Sequence, residues 1–260
     1  MNVVNGKEYV ETYKKVKSIL VSQPKPERSP YYDLEKKYEL QIDWRPFIQI
    51  EPLTAKEFRK QRIRPDEFTS IIFTSKNSID HFFAICEEMR VKMSQETKYF
   101  CLTEAVANYL QKFIIYRKRK VFTGARSVLD LKPYLMKHKE KEKFLLPCSN
   151  LGAKQVSSFL DENGFAWQEA LMYNVVSSDL SDLKDIYYDV IVFFSPLEIE
   201  ALYENFPDFQ QKVTRIAVFG KGALQAVEGK GLFPNIQAPL PEVPSMTMAL
   251  EKYLQVSNKE

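Results

Sequence analysis

The chain has 260 residues, 45% of them hydrophobic and 27% charged, which is enough for two ordinary globular domains of about 100–150 residues. Its formal net charge of +3 does not mark a general nucleic-acid binder, and no apolar run approaches the roughly 20 residues of a membrane span. With 14 prolines against 8 glycines, glycine-rich nucleotide loops have little material, and neither GxGxxG nor GxxxxGK[ST] occurs.

Residues 1–16 are polar, lack the apolar core of a secretory signal, and are expected to be loosely held. Val16–Val21 reads as the first strand, followed by the turn SQPKPERSP and a helix from Tyr31 to Tyr38, with Ser29 as cap and Pro30 at its first position. Leu40–Glu51 is extended but interrupted by Pro46, which favours an edge strand or connector over a central strand. A linker is therefore placed near 44–50, and Ala55–Gln61 is a short helix. Ile71–Phe73 is a strand, Thr74–Ser78 a polar turn, and Ile79, Phe82 and Phe83 the apolar face of a helix running to Met89. Strands at Lys98–Leu102 and Lys120–Phe122 alternate with helices at Glu104–Phe113 and beyond Ser127. The mixed charge run 137–143 and the basic run 116–120 both read as solvated segments.

Lys143–Pro147 is a strand ending in the turn CSNLG, and Ala153–Asn163 a helix closed by Gly164. Phe165–Val176 is extended again, a second linker strand. Tyr187–Phe206 then combines a strand (Val190–Phe194), Ser195 as N-cap, Pro196 at the first helical position, Glu198 three residues after the cap, and Ile199, Leu202 and Phe206 at helical spacing. The strand Arg215–Phe219, the turn GKG, a helix to Glu228, a strand near Phe233–Ala238 and a helix at Met246–Leu254 complete the chain.

Set in two rows, the chain repeats. SILVSQPKPERSPYYDLEKKY matches KFLLPCSNLGAKQVSSFLDEN, FTSIIFTSKNSIDHFF matches YDVIVFFSPLEIEALY, and KYFCLTEAVANYL matches RIAVFGKGALQAV. Each row is a parallel βαβα pattern, so the fold class is α/β. Such folds bind ligands beyond the carboxyl ends of their strands. The turns there are rich in hydroxyls, amides and lysine: Ser22–Ser29, Thr74–Ser78, Cys148–Gly152, Phe194–Leu197 and Gly220–Gly222. Helix N-termini in these turns suit carboxylates or phosphates. In any one turn the serine can equally be a simple helix cap and the lysine a solvated charge. The case for a site rests on the turns converging on one side of two sheets.

The only histidines, His81 and His138, form no carboxylate–histidine cluster, so no metal site is expected. His81 lies in an aromatic helix and reads as structural. Cys86, Cys101 and Cys148 stand far apart without a CxxC, as reduced thiols of a cytoplasmic protein would.

Taken in order, FTSKNSI (73–79), the tyrosine of ALMYNVV (170–176), VFFSPLEIEAL (192–202) and IAVFGKGALQA (216–226) resemble the uroporphyrinogen-III synthase family, from about Ser18 to Leu254. The resemblance implies two flavodoxin-like parallel-sheet domains joined by a two-stranded extended linker. Residues 1–45 with 174–260 would form one domain and 50–168 the other, with linkers near 44–50 and 166–175. It implies cyclisation of hydroxymethylbilane, with loss of water and inversion of the last pyrrole ring through a spiro intermediate, in haem biosynthesis. It implies no metal and no organic cofactor, a tetrapyrrole substrate as the partner, no nucleic acid, no membrane, and a monomer. Tyr173 matches the family's cleft tyrosine and is the expected catalytic residue. Ser75, Lys76, Asn77, Ser149, Asn150, Ser195 and Lys221 are the expected substrate-binding residues, lining a cleft between the domains. The chain departs from the family pattern at Gln23, Thr103, Val106, Gly222, Ala223 and in CSNLGAK, which removes polar groups from that site. The alternative reading is a non-catalytic protein of the same fold that binds a tetrapyrrole or another polyanion.

Overall fold

The structure is a computed structural model that describes residues 2–4, 7–9, 11, 13–184 and 186–259. The chain divides into two compact units: Met1–Gln49 with Val176–Glu260, and Ile50–Val175. In chain order the elements begin with the antiparallel pair β1 (Asn2–Val4) and β2 (Lys7–Tyr9). They continue with β3 (Ser18–Val21), α1 (Tyr31–Tyr38), β4 (Gln41–Trp44), β5 (Ile48–Pro52), α2 (Ala55–Arg59), β6 (Ser70–Phe73) and α3 (Lys76–Glu88). Then come β7 (Lys98–Cys101), α4 (Glu104–Leu110), β8 (Val121–Thr123), α5 (Val128–His138), β9 (Phe144–Ser149), α6 (Lys154–Glu162) and β10 (Trp167–Ser177). The last stretch comprises β11 (Val190–Phe193), α7 (Pro196–Asn205), β12 (Arg215–Phe219), α8 (Lys221–Gly229), β13 (Pro234–Ala238) and α9 (Met246–Ser257).

The first unit holds a 5-stranded sheet in the order β4-β3-β11-β12-β13, parallel throughout. Renumbered within the unit, this is 2-1-3-4-5, the flavodoxin-like order, with its switch point between β3 and β11. The second unit holds a 6-stranded sheet, β5-β10-β9-β6-β7-β8, in which β10 to β8 are parallel. Here β9, β10, β6, β7 and β8 take the same order with the chain start displaced, and the switch point falls between β9 and β6. Among the described residues, the β9–β6 ladder covers Ser70 with Phe144 and Ile71 with Leu145.

Each sheet is apolar on both faces, as parallel sheets must be when helices cover them. In the second unit Ile79, Phe82, Ile85 and Leu110 of α3 and α4 pack with Ile71 and Phe73 on one face. Leu131, Leu135, Val156 and Leu160 of α5 and α6 pack with Phe100, Phe144 and Leu146 on the other. In the first unit Leu34, Leu250 and Leu254 of α1 and α9 cover one face, and Ile199, Leu202 and Val227 of α7 and α8 the other.

Several expectations are corrected. Cys148 and Ser149 belong to β9 rather than to a turn, and Ser78 is a buried residue of the first turn of α3. α1 spans Tyr31–Tyr38 as expected, but Pro30 rather than Ser29 takes the cap position, and Ser29 Oγ accepts from the Tyr31 amide at 3.3 Å. The segment Leu40–Glu51 supplies both of the alternatives its proline allows: β4 is an edge strand of the first sheet, and Pro46 separates it from β5, an edge strand of the second. The charge run 137–143 conceals a buried group. Glu142 accepts from Lys98 Nζ at 2.5 Å and from Ser70 Oγ at 3.2 Å. The expected looseness of residues 1–16 does not hold at Glu11, whose carboxylate accepts from Asn235 Nδ2 at 2.5 Å and Tyr253 Oη at 2.7 Å; positions 1, 5, 6, 10 and 12 lie outside the described residues.

Candidate functional site

In the second unit, β10 carries an irregularity of register between Leu171 and Tyr173, opposite Cys148 and Ser149 of β9. A bulge of this kind re-aims the following side chain. It sets Tyr173 at the carboxyl end of the sheet, beside the switch point. Tyr173 is only 7% exposed, and its ring lies 4.6 Å from that of His81, centroid to centroid. Burial raises the pKa of its hydroxyl above the ordinary value; the Ser75 side chain, hydrogen-bonded to it, works against the rise. Burial likewise lowers the pKa of His81, against the pull of Asp80. The imidazole is therefore neutral at pH 7, and the pair offers a protonated phenol against an uncharged ring.

Ser75 also caps α3, accepting from the Ser78 amide at 3.1 Å, while the Ser78 hydroxyl donates to the Ser75 carbonyl at 2.7 Å. This reciprocal cap fixes the turn after β6 and with it the group that meets Tyr173. Ser149 closes β9 in register with Tyr173 and accepts from the Leu151 amide at 3.3 Å. Asn150 holds the far end of β10. Its amide donates to the Tyr173 carbonyl at 3.2 Å, its Nδ2 to the Val175 carbonyl at 3.2 Å, and its Oδ1 accepts from the Val175 amide at 2.8 Å. Its side chain is thus engaged in orienting the strand that carries Tyr173.

Tyr173, Ser75, Ser149 and Asn150 are therefore brought together. Lys76 and Asn77, the first residues of α3, are exposed beside them. The Lys76 ammonium leans toward α4, 5.5 Å from the ring centroid of Tyr109, whose hydroxyl donates to Asp80 at 2.8 Å.

The first unit has its own rim. Ser22 follows β3, its amide donating to the Val192 carbonyl at 3.2 Å. Its hydroxyl donates to Glu198 Oε2 at 2.8 Å, and the Phe194 and Ser195 amides donate to the same oxygen at 2.5 and 3.2 Å. Burial raises the pKa of Glu198, and these three donors oppose the rise. The Ser195 hydroxyl is buried with no hydrogen-bond partner among the described residues, as are Tyr31 Oη and Trp44 Nε1. The last two rings meet edge to face at 5.1 Å. Buried groups of this kind normally find partners, and all three stand where β11, the loop after β3, and β4 reach the carboxyl edge. Lys221 is the exposed first residue of α8, and Gly220 before it takes φ +86°, a conformation that favours glycine.

Sequence reasoning misses His81, which reads as structural although it lies on the Tyr173 ring, and Glu198, which reads only as a capping residue. The i+3 spacing of Glu198 from Ser195 is visible in the sequence; its burial is not. Among the described residues no group of His, Cys, Asp and Glu could hold a metal ion. The donors available are amides, hydroxyls, a phenol and a few exposed lysines, which suit carboxylates rather than cations.

Two doubly wound α/β units, each with helix N-termini and hydroxyls at its switch point, make an architecture suited to an anionic organic ligand. The chain belongs to the uroporphyrinogen-III synthase family: it matches the family described as Uroporphyrinogen-III synthase HemD over residues 34–248. Among solved structures it is similar to a mutant uroporphyrinogen III synthase of the extreme thermophile Thermus thermophilus, at 13% identity and TM-score 0.61, with 92% of this chain and 99% of that one covered. It is also similar to uroporphyrinogen-III synthetase of Helicobacter pylori, at 17% identity and TM-score 0.59, with 92% and 99% covered. At these identities the likeness shows the fold. Among curated proteins no sequence matches.

The positions that the sequence reading marks as departures from the family pattern have local roles. Thr103 caps α4, accepting from the Val106 amide at 3.4 Å, and Val106 is buried. Ala223 is buried, and a Cβ on Gly222 would lie 3.4 Å from Pro196 Cγ.

Proposed function

We infer that the protein is a uroporphyrinogen-III synthase that cyclises hydroxymethylbilane, with Tyr173 as the proton donor. The observation that carries the reading is the Tyr173 hydroxyl, buried beside Ser75 at the switch point of the second unit. With its pKa raised, the phenol keeps its proton through neutral pH. It can donate that proton as the C–O bond of the hydroxymethyl group breaks, so that the hydroxyl leaves as water. The carbon left electron-poor is then captured at the substituted position of the last ring to give the spiro intermediate; the older bond from that ring to its bridging carbon breaks, the carbon so freed is captured at the ring's unsubstituted position, and loss of the proton there leaves the ring inverted.

The substrate is reactive and closes spontaneously to the non-inverted isomer, so the enzyme must above all hold one folded conformation. The amides at the starts of α3, α6, α7 and α8, the hydroxyls of Ser75, Ser149 and Ser195, and the ammonium groups of Lys76 and Lys221 are suited to the substrate's carboxylates. In this reading Asn77 contributes its exposed amide, and Asn150 acts through the strand it orients. The buried Cys86, Cys101 and Cys148 are free thiols, in keeping with a reducing cytoplasm, and the protein acts as a monomer. The test is a coupled assay with freshly made hydroxymethylbilane that resolves the two uroporphyrinogen isomers. Formation of isomer III above the spontaneous background supports the reading. Isomer I alone would leave the protein a non-catalytic tetrapyrrole binder.

A further inference from the structure

The segment between α4 and β8 is unlike the rest of the surface. Ile115 is 77% exposed, the highest value among the exposed large hydrophobic residues, and Phe113 and Tyr116 beside it are 38% and 39% exposed. Four cations follow without a break, Arg117, Lys118, Arg119 and Lys120. The Lys120 amide donates to the Arg117 carbonyl at 2.8 Å. That bond closes a tight turn with Lys118 and Arg119 exposed at its tip.

The apolar residues are not a stray patch. Phe113 is anchored by stacking on Phe83 at 4.9 Å. With Phe83, Val91, Met93 and Ile115 it lines a cavity of about 570 Å³ whose rim includes Lys92, Lys112, Arg117 and Lys120. Acidic groups only partly offset this charge: Glu96 pairs with Lys120 at 2.5 Å, and Glu87 lines the cavity. In a chain of net charge +3, one loop thus concentrates positive charge beside exposed aliphatic and aromatic groups. From sequence alone 116–120 reads as a solvated loop, because no aromatic residue interleaves the run. The structure shows that the apolar partners precede it.

We propose that this face is a peripheral docking surface for an anionic lipid bilayer. Ile115 and Tyr116 enter the headgroup layer while the 117–120 turn and Lys112 meet lipid phosphates. The two signals complement each other, since neither a short apolar insertion nor a polybasic cluster alone holds a protein firmly to a membrane. No helix among the described residues is long and apolar enough to cross a membrane, and the contact proposed is superficial. The face lies at the amino ends of β7 and β8, opposite the edge of the same sheet that carries Tyr173. Docking would leave that edge open. The proposal revises the expectation of no membrane partner and does not depend on the activity assigned above.

The experiment is vesicle co-sedimentation of the full chain, comparing phosphatidylcholine alone with phosphatidylcholine containing about 30% phosphatidylglycerol, at roughly 0.1 M salt. Binding is expected only to the anionic vesicles. The triple variant Arg117→Gln, Lys118→Gln, Arg119→Gln should weaken it on the order of 100-fold, since each basic residue near such a surface contributes about a factor of five. Ile115→Asp should weaken it as well, although it leaves every cation in place. A control, Lys184→Gln with Lys212→Gln, removes exposed charge from the other unit and should change binding little. The fold of each variant is checked by its thermal midpoint. Absence of binding, equal binding to neutral vesicles, or an equal loss in the control would overturn the proposal. So would full binding by folded Ile115→Asp, which would reduce the effect to non-specific charge. Capture of a single-stranded oligonucleotide through the same turn, with no vesicle binding, would reassign the face to nucleic acid.

Discussion

Tyr173→Phe separates the phenol's chemistry from its packing. The ring keeps its burial and its contact with His81 at 4.6 Å, and only the hydroxyl is lost. The structural cost is the hydrogen bond with Ser75, about 1 kcal/mol, and Ser75 retains the Ser78 amide as a partner. The fold should therefore survive, with a small fall in the denaturation midpoint. General-acid assistance is typically worth about 10²–10⁴ in rate. A substrate that loses its hydroxyl readily draws less on it, so the expected loss is roughly 10-fold or more in isomer III formation. Burial raises the Tyr173 pKa above that of an ordinary phenol, so ionisation of Tyr173 should not limit wild-type activity between about pH 7 and pH 9. Any alkaline limb that Tyr173 causes should vanish in the phenylalanine variant. The assay is single-turnover conversion with the isomers resolved, alongside product affinity, which should stay close to wild type. A stably folded Tyr173→Phe protein with full isomer III activity would remove Tyr173 from the mechanism.

Other outcomes follow from the same structure. Glu198 has its pKa raised by burial, so its contribution to stability is fully present below the unfolded carboxyl value of about 4.3 and is lost as pH rises through the folded one. Compared with Glu198→Gln in urea titrations, the wild type should lose stability as pH rises above about 4.3; parallel curves would contradict this. Glu142 has the opposite sign: the Lys98 hydrogen bond, with those from Thr69 and Ser70, outweighs burial and lowers its pKa. Its contribution is present above about pH 4.3 and lost in acid, and Glu142→Ala should cost about 2 kcal/mol at pH 7 because Lys98 is left half-buried without its partner. Gly220→Ala should destabilise by about 1–2 kcal/mol because φ is +86° there. Gly222→Ala, with only ordinary contact to Pro196, should be neutral or stabilise by about 0.5 kcal/mol in thermal melts. Uroporphyrinogen affinity should fall as salt is raised from about 0.05 to 0.5 M if carboxylates are the main handle; an unchanged affinity would argue for contact through the pyrrole rings instead.

The regular elements were legible because their signals are local. Apolar runs of four or five residues ending in a cap residue mark β6–α3 and β11–α7, and the recurrence of those units exposed the parallel α/β class. What the sequence hid depends on contacts distant along the chain. Glu142 looks like one charge in a solvated run, yet Lys98 lies 44 positions away and reaches it across neighbouring strands. His81 looks like a core residue of an aromatic helix, and only the fold sets it on Tyr173. The register change before Tyr173 has no glycine or proline to announce it. Lys76 and Lys221 read as turn residues in the sequence. The caps at Ser75 and Gly220 start their helices earlier, so both lysines stand in the first helical turn.

The repeat also suggests how the two rims differ in role. β9–α6 and β3–α1 occupy the same place in their sheets, as do β6–α3 and β11–α7, so Ser75 and Ser195 are equivalent, whereas Ser22 stands where the second unit has Pro147. The equivalence ends at the chemistry. In the second unit Ser75 meets a phenol with a raised pKa. In the first, Ser22 is bound to a buried carboxyl and Ser195 Oγ has no partner among the described residues. A carboxyl held by three donors on one oxygen is poorly placed to give up a proton to a ligand, whereas it fixes the loop after β3 and the start of α7 rigidly. The first unit therefore carries the features of a preorganised binding edge and the second those of a proton donor. Ser195→Ala should accordingly raise KM for hydroxymethylbilane with little change in kcat, whereas Tyr173→Phe should lower kcat with little change in KM. If the two variants show the same split, this division of roles is wrong even if the protein is the synthase.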